Sequence, residues 1–151
     1  MISIDTNILL YAHNRDCPEH ERAFNFILSC GGREDVALCE LVLVELYILL
    51  RNPTVLRQPL PADQAADVCQ AYRKNPRWRL VENAPVMEQV WTLAGQPEFA
   101  RRRIFDARIA LTLLHHGVTE LATANVKDFE TLGFQRVWNP LEQADTSREM
   151  R

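Results

Sequence analysis

Hydrophobic and polar positions along the chain follow two periods. Short β-prone runs alternate with longer segments in which apolar residues return every three or four positions. The short runs predict strands at 2–4, 36–38, 78–81, 119–124 and 134–138. The longer segments, bounded by Pro, Gly and N-cap residues, predict helices at 8–12, 18–30, 40–50, 62–74, 85–93, 104–115 and 125–132. Strands that alternate with helices indicate an α/β fold whose parallel sheet is covered on both faces.

The domain organisation follows from length. A chain of 151 residues has the size of one domain, and it shows no internal repeat and no linker. We therefore expect a single domain over residues 1–140 and a polar tail over 141–151. In sheets of this kind, reactive residues collect beyond the carboxyl ends of the strands.

Composition and charge exclude several classes of protein. Seventeen basic and twenty acidic residues give a net charge of −3, which argues against binding nucleic acid by bulk positive charge. That balance leaves open an enzyme that binds nucleic acid locally at a carboxylate site. No apolar run reaches the roughly 18 residues that span a bilayer, and the N-terminus does not resemble a secretory signal. The four cysteines form no C-x-x-C pair, so we expect reduced thiols in a cytoplasmic protein.

Each of four acidic residues occupies a position that either a structural role or a role in a functional site would explain. Asp5 follows the first strand and also suits a helix N-cap. Glu45 lies inside the apolar helix 40–50, where a buried carboxylate needs a partner, a cation or a proton, unless it lines a solvated groove or pairs with an Arg. Asp106 lies in the first turn of its helix, where negative charge suits the macrodipole. Asp128 follows the strand 119–124 and is also an ordinary acid of a first helical turn.

The residues around these acids resemble the PIN domain, and within it the VapC toxins of bacterial toxin–antitoxin pairs. The resemblance runs from residue 1 to about residue 140. It rests on four segments in the right order: Asp5-Thr6-Asn7-Ile8-Leu9, Glu45 in its apolar helix, Phe105-Asp106-Ala107-Arg108-Ile109-Ala110, and Thr123-Ala124-Asn125-Val126-Lys127-Asp128-Phe129. It implies a three-layer α/β/α fold and a ribonuclease that depends on Mg²⁺ or Mn²⁺. It also implies a cognate antitoxin and a homodimer, with residues 40–50 or 62–72 as candidate interface.

The resemblance also implies roles for particular residues. Asp5, Glu45 and Asp106 match the first three acids of the family, and Asn7 and Thr123 match its supporting polar positions. Clustered carboxylates repel one another without a cation, and their oxygens suit hard Mg²⁺ and Mn²⁺. We assign Asp5 and Asp106 as the main metal ligands. We expect Glu45 to contact the metal through water or to orient the attacking water.

The fourth position departs from the commonest pattern of the family. Asn125 stands where many relatives have an Asp two residues after the Thr. Asn also occurs there in the family, with the acid supplied by the following Asp-Phe, which is Asp128-Phe129 in this chain. Either Asp128 or Asn125 therefore completes the cluster, and we favour Asp128 because a hard dication gains more from a carboxylate than from an amide.

Basic residues next to the third acid are candidates for contacts with RNA phosphates. Arg101-Arg102-Arg103 precedes the helix of Asp106, and Arg108 follows Asp106 within one turn. We select Arg102, Arg103 and Arg108 as candidates for RNA binding, although such a run is commonly a solvated basic surface.

Two other functions compete with a ribonuclease. The first is a PIN-like module that binds RNA or protein without catalysis, which the departure at Asn125 keeps open. The second is a phosphatase or phospho-receiver that uses the Asp after the first strand as nucleophile. The haloacid-dehalogenase pattern needs a second Asp two residues further on, and Asn7 occupies that position.

Overall fold

Five short parallel strands form the centre of the protein. The computed structural model describes residues 1–142. Its strands are β1 (Ile2–Ile4), β2 (Ala37–Cys39), β3 (Arg79–Val81), β4 (Glu120–Ala122) and β5 (Arg136–Trp138). Strand β4 pairs with β1 and β5, β2 pairs with β3, and these pairings are parallel. A bridge between Ile2 and Val36 joins the two groups in the order β3-β2-β1-β4-β5, which confirms the predicted sheet.

Helices connect the strands close to the predicted positions. They are α1 (Thr6–His13), α2 (His20–Cys30), α3 (Glu40–Leu50), α4 (Ala62–Arg73), α5 (Met87–Ala94), α6 (Arg103–His115) and α7 (Val126–Phe129). The helix predicted over 125–132 is shorter than expected. The amide of Leu132 donates to Phe129 O at 3.1 Å in a turn, and Gly133 at φ +121° then redirects the chain toward β5. Positive φ is a conformation that glycine adopts without steric cost.

Burial along the strands shows that the sheet is covered on both faces. Side chains of successive strand residues point to opposite faces, and every residue of β1 and β2 is buried. On α3, Val42, Leu46 and Leu50 have no exposed surface, and on α6 the same holds for Ala110 and Leu113. Helices therefore cover the two faces of one core, as an α/β/α arrangement requires.

The pairing of β1 with β4 sets the position of the candidate site. Ile4 lies opposite Ala122, so Asp5 and Thr123 follow side by side at the carboxyl edge of the sheet. The ladder extends past the strand ends, because Asp5 N donates to Ala122 O and Thr123 N donates to Trp138 O, both at 2.9 Å. Main-chain hydrogen bonds thus hold the backbone of Asp5 and Thr123 in place independently of their side chains.

Leu141, the first residue of the predicted tail, packs into the domain. Leu141 is 5% exposed and belongs to the core, and its carbonyl accepts from Arg22 Nη1 at 2.9 Å. Residues 143–151 of the predicted tail lie outside the described residues. Among the described helices, none combines the length and the apolar character needed to cross a membrane. Cys17, Cys30, Cys39 and Cys69 are free thiols.

The packing of α3 predicts a large difference between neighbouring apolar residues. Leu46→Ala removes a fully buried side chain and should lower the free energy of unfolding by about 2–5 kcal/mol. Val44→Ala is the matched control, since Val44 is 49% exposed and the change should stay within about 0.5 kcal/mol. Urea unfolding followed by circular dichroism measures both. Equal losses in the two variants would contradict the packing described here.

Candidate active site

Asp5 is held at the end of β1 by hydrogen bonds to both carboxylate oxygens. The backbone N–H of Thr6 donates to Oδ1 at 2.8 Å, so Asp5 is the N-cap of α1. The hydroxyl of Thr123 donates to Oδ2 at 2.7 Å. Asp5 is only 8% exposed, and burial is the main cause that raises its pKa, while the two hydrogen bonds oppose that rise. The expected N-cap and the expected site residue are therefore the same side chain.

Asn7 joins the loop after β4 to α1. Its Nδ2 donates to Thr123 Oγ1 at 3.4 Å, and its Oδ1 accepts from the backbone N–H of Ala124 at 3.2 Å. The Thr123 hydroxyl oxygen also accepts from the backbone N–H of Asn125 at 3.0 Å. Asn7 and Thr123, which the sequence analysis assigns to supporting positions, therefore lie beside the carboxylate of Asp5.

Glu45 reaches the site from the middle of α3. Its Oε2 accepts from the hydroxyl of Thr6 at 3.2 Å, and the side chain is half-buried. Burial raises the pKa of Glu45, the hydrogen bond from Thr6 lowers it, and the charge of Asp5 raises it further. Among the described residues no cation pairs with Glu45, so the alternative of an Arg partner is not observed.

Thr6 is a site residue that the sequence reasoning did not assign. It contacts two acids at once, because its backbone N–H binds Asp5 and its hydroxyl binds Glu45. The available signal was a hydroxyl residue directly after the first acid, at the start of a helix. Its partner Glu45 lies 39 residues further on, so the contact depends on how α3 packs against α1.

Asp106 is perturbed by burial and by the charges of the other three acids. It lies in the first turn of α6 and is partly buried. Burial, followed by the charges of Asp5, Glu45 and Asp128, raises the pKa of Asp106 to about 7, against a smaller lowering by Arg103. Because like charges disfavour ionisation of a neighbour, these influences indicate that the four acids share one region.

The two candidates for the fourth position have different surroundings. The charge of Asp128 contributes to raising the pKa of both Asp5 and Asp106, so this carboxylate lies within electrostatic range of both acids. Asn125 is exposed at the N-cap of α7, and its side chain makes no capping hydrogen bond. The backbone N–H of Asp128 donates to Asn125 O at 3.1 Å, which places Asp128 in the first turn of α7.

The donor chemistry of this cluster fits a hard divalent cation. Its oxygens come from carboxylates, which are the ligands that Mg²⁺ and Mn²⁺ prefer. Within residues 1–142, no set of three or more His, Cys, Asp or Glu side chains is already arranged to hold a metal ion. Burial, and then the charges of neighbouring acids, raise the pKa values of Asp5, Glu45 and Asp106, and a bound cation would favour their ionised forms.

The three candidate arginines have different surroundings. Arg103 Nη2 donates to the main-chain O of Asp128 at 2.6 Å, and its guanidinium lies 5.6 Å from the ring centroid of Phe99. Arg103 therefore connects α6 to α7. Arg102 is exposed and lines a groove together with Asp106. Arg108 is half-buried further along α6.

A groove of about 360 Å³ lies between α3 and the N-terminal part of α6. It is lined by Leu41, Val44, Glu45, Ile48, Arg102, Phe105, Asp106 and Ile109. A larger cavity of about 680 Å³ lies near the C-terminal end of α1, and none of the four acids lines it. The smaller groove is the relevant one because it contains two of the acids.

Comparison with known proteins gives consistent results. Residues 2–135 match the PIN domain family. The chain is 64% identical over 141 residues to Ribonuclease VapC24 of Mycobacterium tuberculosis, in the strains CDC 1551 / Oshkosh and H37Rv. The alignment covers 93% of this chain and 97% of that protein.

Solved structures share the fold at lower identity. Mycobacterium tuberculosis VapC20, a toxin that cleaves the sarcin–ricin loop, superposes with a TM-score of 0.68 at 21% identity, covering 89% of this chain and 96% of that one. FitAB bound to the IR36 DNA fragment gives 0.64 at 21% identity, with coverages of 95% and 98%. FitAcB from Neisseria gonorrhoeae gives 0.64 at 23% identity, with coverages of 95% and 100%.

The family match and the sequence identity together establish the family of the chain. The family match spans most of the chain, and the identity of 64% extends over nearly all of it. The chain therefore belongs to the PIN domain family, among its VapC ribonucleases.

Proposed function

We propose that this chain is a metal-dependent RNA endonuclease that acts as the toxin of a toxin–antitoxin pair. The observation that carries the proposal is the convergence of Asp5, Glu45 and Asp106, coupled by charge to Asp128, at one edge of a parallel sheet. The relative that is 64% identical is named a ribonuclease, which supports hydrolysis of RNA phosphodiester bonds here. A module that binds RNA or protein without catalysis would not need a cluster of carboxylates that repel one another.

The cation that best suits the site is Mg²⁺, with Mn²⁺ as its closest substitute. Asp5 and Asp106 are its proposed ligands, and Asp128 completes the cluster in preference to Asn125. When bound, such a cation lowers the pKa of a coordinated water and stabilises the negative charge that develops on a phosphodiester.

The protein's own residues orient the donors and the attacking water. Thr6 N and Thr123 Oγ1 each use one lone pair of an Asp5 oxygen, so each oxygen retains another for a ligand. Thr6 also fixes Oε2 of Glu45, which leaves Oε1 to accept the proton of the attacking water. Asn7 and Thr123 maintain these positions by holding the loop after β4 against α1.

The arginines near Asp106 have different proposed roles toward RNA. We assign the first phosphate contact to Arg102, because it lines the groove with Glu45 and Asp106. Arg108 is a second candidate on the same helix. Arg103 donates from one nitrogen to Asp128 O. It therefore has a structural role in holding α7 in addition to any contact with RNA.

The proposal includes protein partners and a location. VapC toxins pair with an antitoxin, and we propose that a cognate antitoxin covers the acidic site of this chain. We also propose a homodimer that uses α3 or α4, since Val44 and Ile48 of α3 expose apolar side chains. The protein would act in the cytoplasm, where its RNA substrates are.

Neutralising a proposed metal ligand should remove activity and preserve the fold. Asp5→Asn and Asp106→Asn should each lower the rate of Mg²⁺-dependent RNA cleavage by about 100-fold or more, because charge stabilisation at the reacting phosphate is lost. Gel analysis of cleaved RNA measures the activity, and circular dichroism measures whether the fold is preserved. Asp67→Asn, an exposed acid on α4, is the matched control. Cleavage at the wild-type rate in either site variant would refute the assignment.

Metal titration should decide the fourth position. Asp128→Asn should weaken Mn²⁺ binding roughly tenfold or more, while Asn125→Ala should have little effect. Isothermal titration calorimetry measures both affinities, and Glu130→Gln is the control, being an exposed acid beside α7. The reverse order of effects would assign the amide of Asn125 as the ligand.

The raised pKa of Asp106 predicts how stability depends on pH without metal. The folded protein holds this proton more tightly than the unfolded chain, whose Asp pKa is about 4. This contribution to stability is complete below pH 4 and is lost as pH rises through about 7. Thermal unfolding in EDTA should therefore show a Tm that falls between pH 4 and 7, less steeply in Asp106→Asn than in Asp67→Asn. Identical slopes in the two variants would contradict the coupling.

A further inference from the structure

Arg103 occupies a position that its own helix does not favour. It is the first residue of α6, where the helix macrodipole opposes a positive charge. Its Nε is buried, and among the described residues that atom has no hydrogen-bond partner. A buried donor without a partner destabilises the folded state. Two local penalties at one side chain indicate that Arg103 is needed for a contact outside α6.

That contact is with the end of α7. Arg103 Nη2 donates to Asp128 O at 2.6 Å, and the hydrogen bonds found within residues 1–142 give this carbonyl no other donor. Carbonyls in the last turn of a helix lack a partner within the helix, and an Arg side chain can satisfy them. The charge of the guanidinium is favourable there, because the C-terminal end of a helix carries partial negative charge.

Helix α7 depends on contacts of this kind. It has four residues, and a helix of that length is not stable by itself in water. Phe129 is buried in the core, and Arg103 binds the main chain at the preceding residue. The guanidinium lies over the ring of Phe99, 5.6 Å from the ring centroid, which orients it by a cation–π contact. Phe99 thus orients Arg103, and Arg103 holds the main chain of Asp128.

Arg103 also lies near the third acid. Burial is the main cause that raises the pKa of Asp106, and the charge of Arg103 opposes that rise. Arg103 is therefore within electrostatic range of Asp106 and in contact with the main chain of Asp128. By its charge alone, a guanidinium beside a cation site would weaken the binding of a dication. Its presence there calls for a role in position rather than in charge.

We propose that Arg103 is a positioning residue, which holds the carboxylate of Asp128 within reach of the metal by fixing α7 against α6. It acts through Asp128 rather than by contact with the metal or the RNA. This inference rests on the proposed function and deepens it, because it makes the affinity of the site for its cation depend on a residue that is not a ligand.

The test separates position from charge. Arg103→Met removes the donor and the charge and keeps the aliphatic stem. Arg101→Met is the matched control, since it removes the same charge from an exposed neighbour. Phe99→Leu leaves Arg103 and its charge in place and removes only the ring that orients the guanidinium. Each change is made in the wild type and in Asp128→Asn, and isothermal titration calorimetry measures Mn²⁺ affinity.

The expected result is a loss of affinity that depends on Asp128. Arg103→Met should weaken Mn²⁺ binding roughly tenfold, although loss of a positive charge alone would strengthen it. Phe99→Leu should weaken it about two- to fivefold, the range of one cation–π contact. In Asp128→Asn neither change should weaken binding further by more than about twofold, because the carboxylate that they position is already neutral. Arg101→Met should stay within about twofold of its parent in both backgrounds.

Amide hydrogen exchange in EDTA gives a second readout that needs no metal. The N–H of Glu130 donates to Val126 O at 3.0 Å and closes the turn of α7, so its exchange measures the opening of that helix. Arg103→Met should speed this exchange roughly tenfold or more, the range of one hydrogen bond to a charged group. Arg101→Met should leave it unchanged. Phe99→Leu keeps the proposal testable if Arg103→Met does not fold.

Several results would overturn the positioning role. Wild-type or stronger Mn²⁺ binding by Arg103→Met would do so, and so would an equal loss in the Asp128→Asn background or unchanged exchange at Glu130. If Arg103→Met weakens binding of a fluorescein-labelled oligouridine in EDTA more than Arg101→Met does, Arg103 is a phosphate contact instead. If the wild type takes up no Mn²⁺ but exchange at Glu130 still responds to Arg103→Met, the metal-dependent function fails and the hold on α7 stands.

Discussion

The burial of Asp5 beside three other acids is the constraint on which the site depends. A carboxylate that is 8% exposed loses most of its hydration, and nearby negative charges add to the cost of ionising it. Hydrogen bonds from Thr6 and Thr123 offset part of that cost. Both donors are available because β1 and β4 are paired in a register that brings Asp5 and Thr123 together.

The repulsion that remains among the acids affects both the ionisation of the folded protein and its capacity to bind a cation. Burial, together with this repulsion, raises the pKa of Asp106 to about 7, so near neutral pH the Asp106 carboxyl is only partly ionised without metal. A divalent cation would favour the ionised form of the acids that hold it. The groove between α3 and α6 is lined by two of these acids, Glu45 and Asp106.

Local patterns in the sequence predict most of the fold and the acids, whereas contacts between distant elements need the structure. The run before Asn52-Pro53 predicts α3 with its observed bounds, because an apolar stretch of that length ends at a helix stop. Asp5 is predicted by its place after β1. The contact of Thr6 with Glu45, and that of Arg103 with Asp128 O, depend on how helices pack. The end of α7 depends on a turn that its composition does not specify.

The central claim is that the four acids form one electrostatically coupled, cation-dependent site. The most direct measurement is a pH titration of the Asp106 carboxyl carbon by ¹³C NMR, first in EDTA and then in saturating Mg²⁺. The account predicts a midpoint at about 7 without the cation and a large fall when Mg²⁺ is present. A midpoint near the ordinary aspartate value of about 4 under both conditions would contradict it.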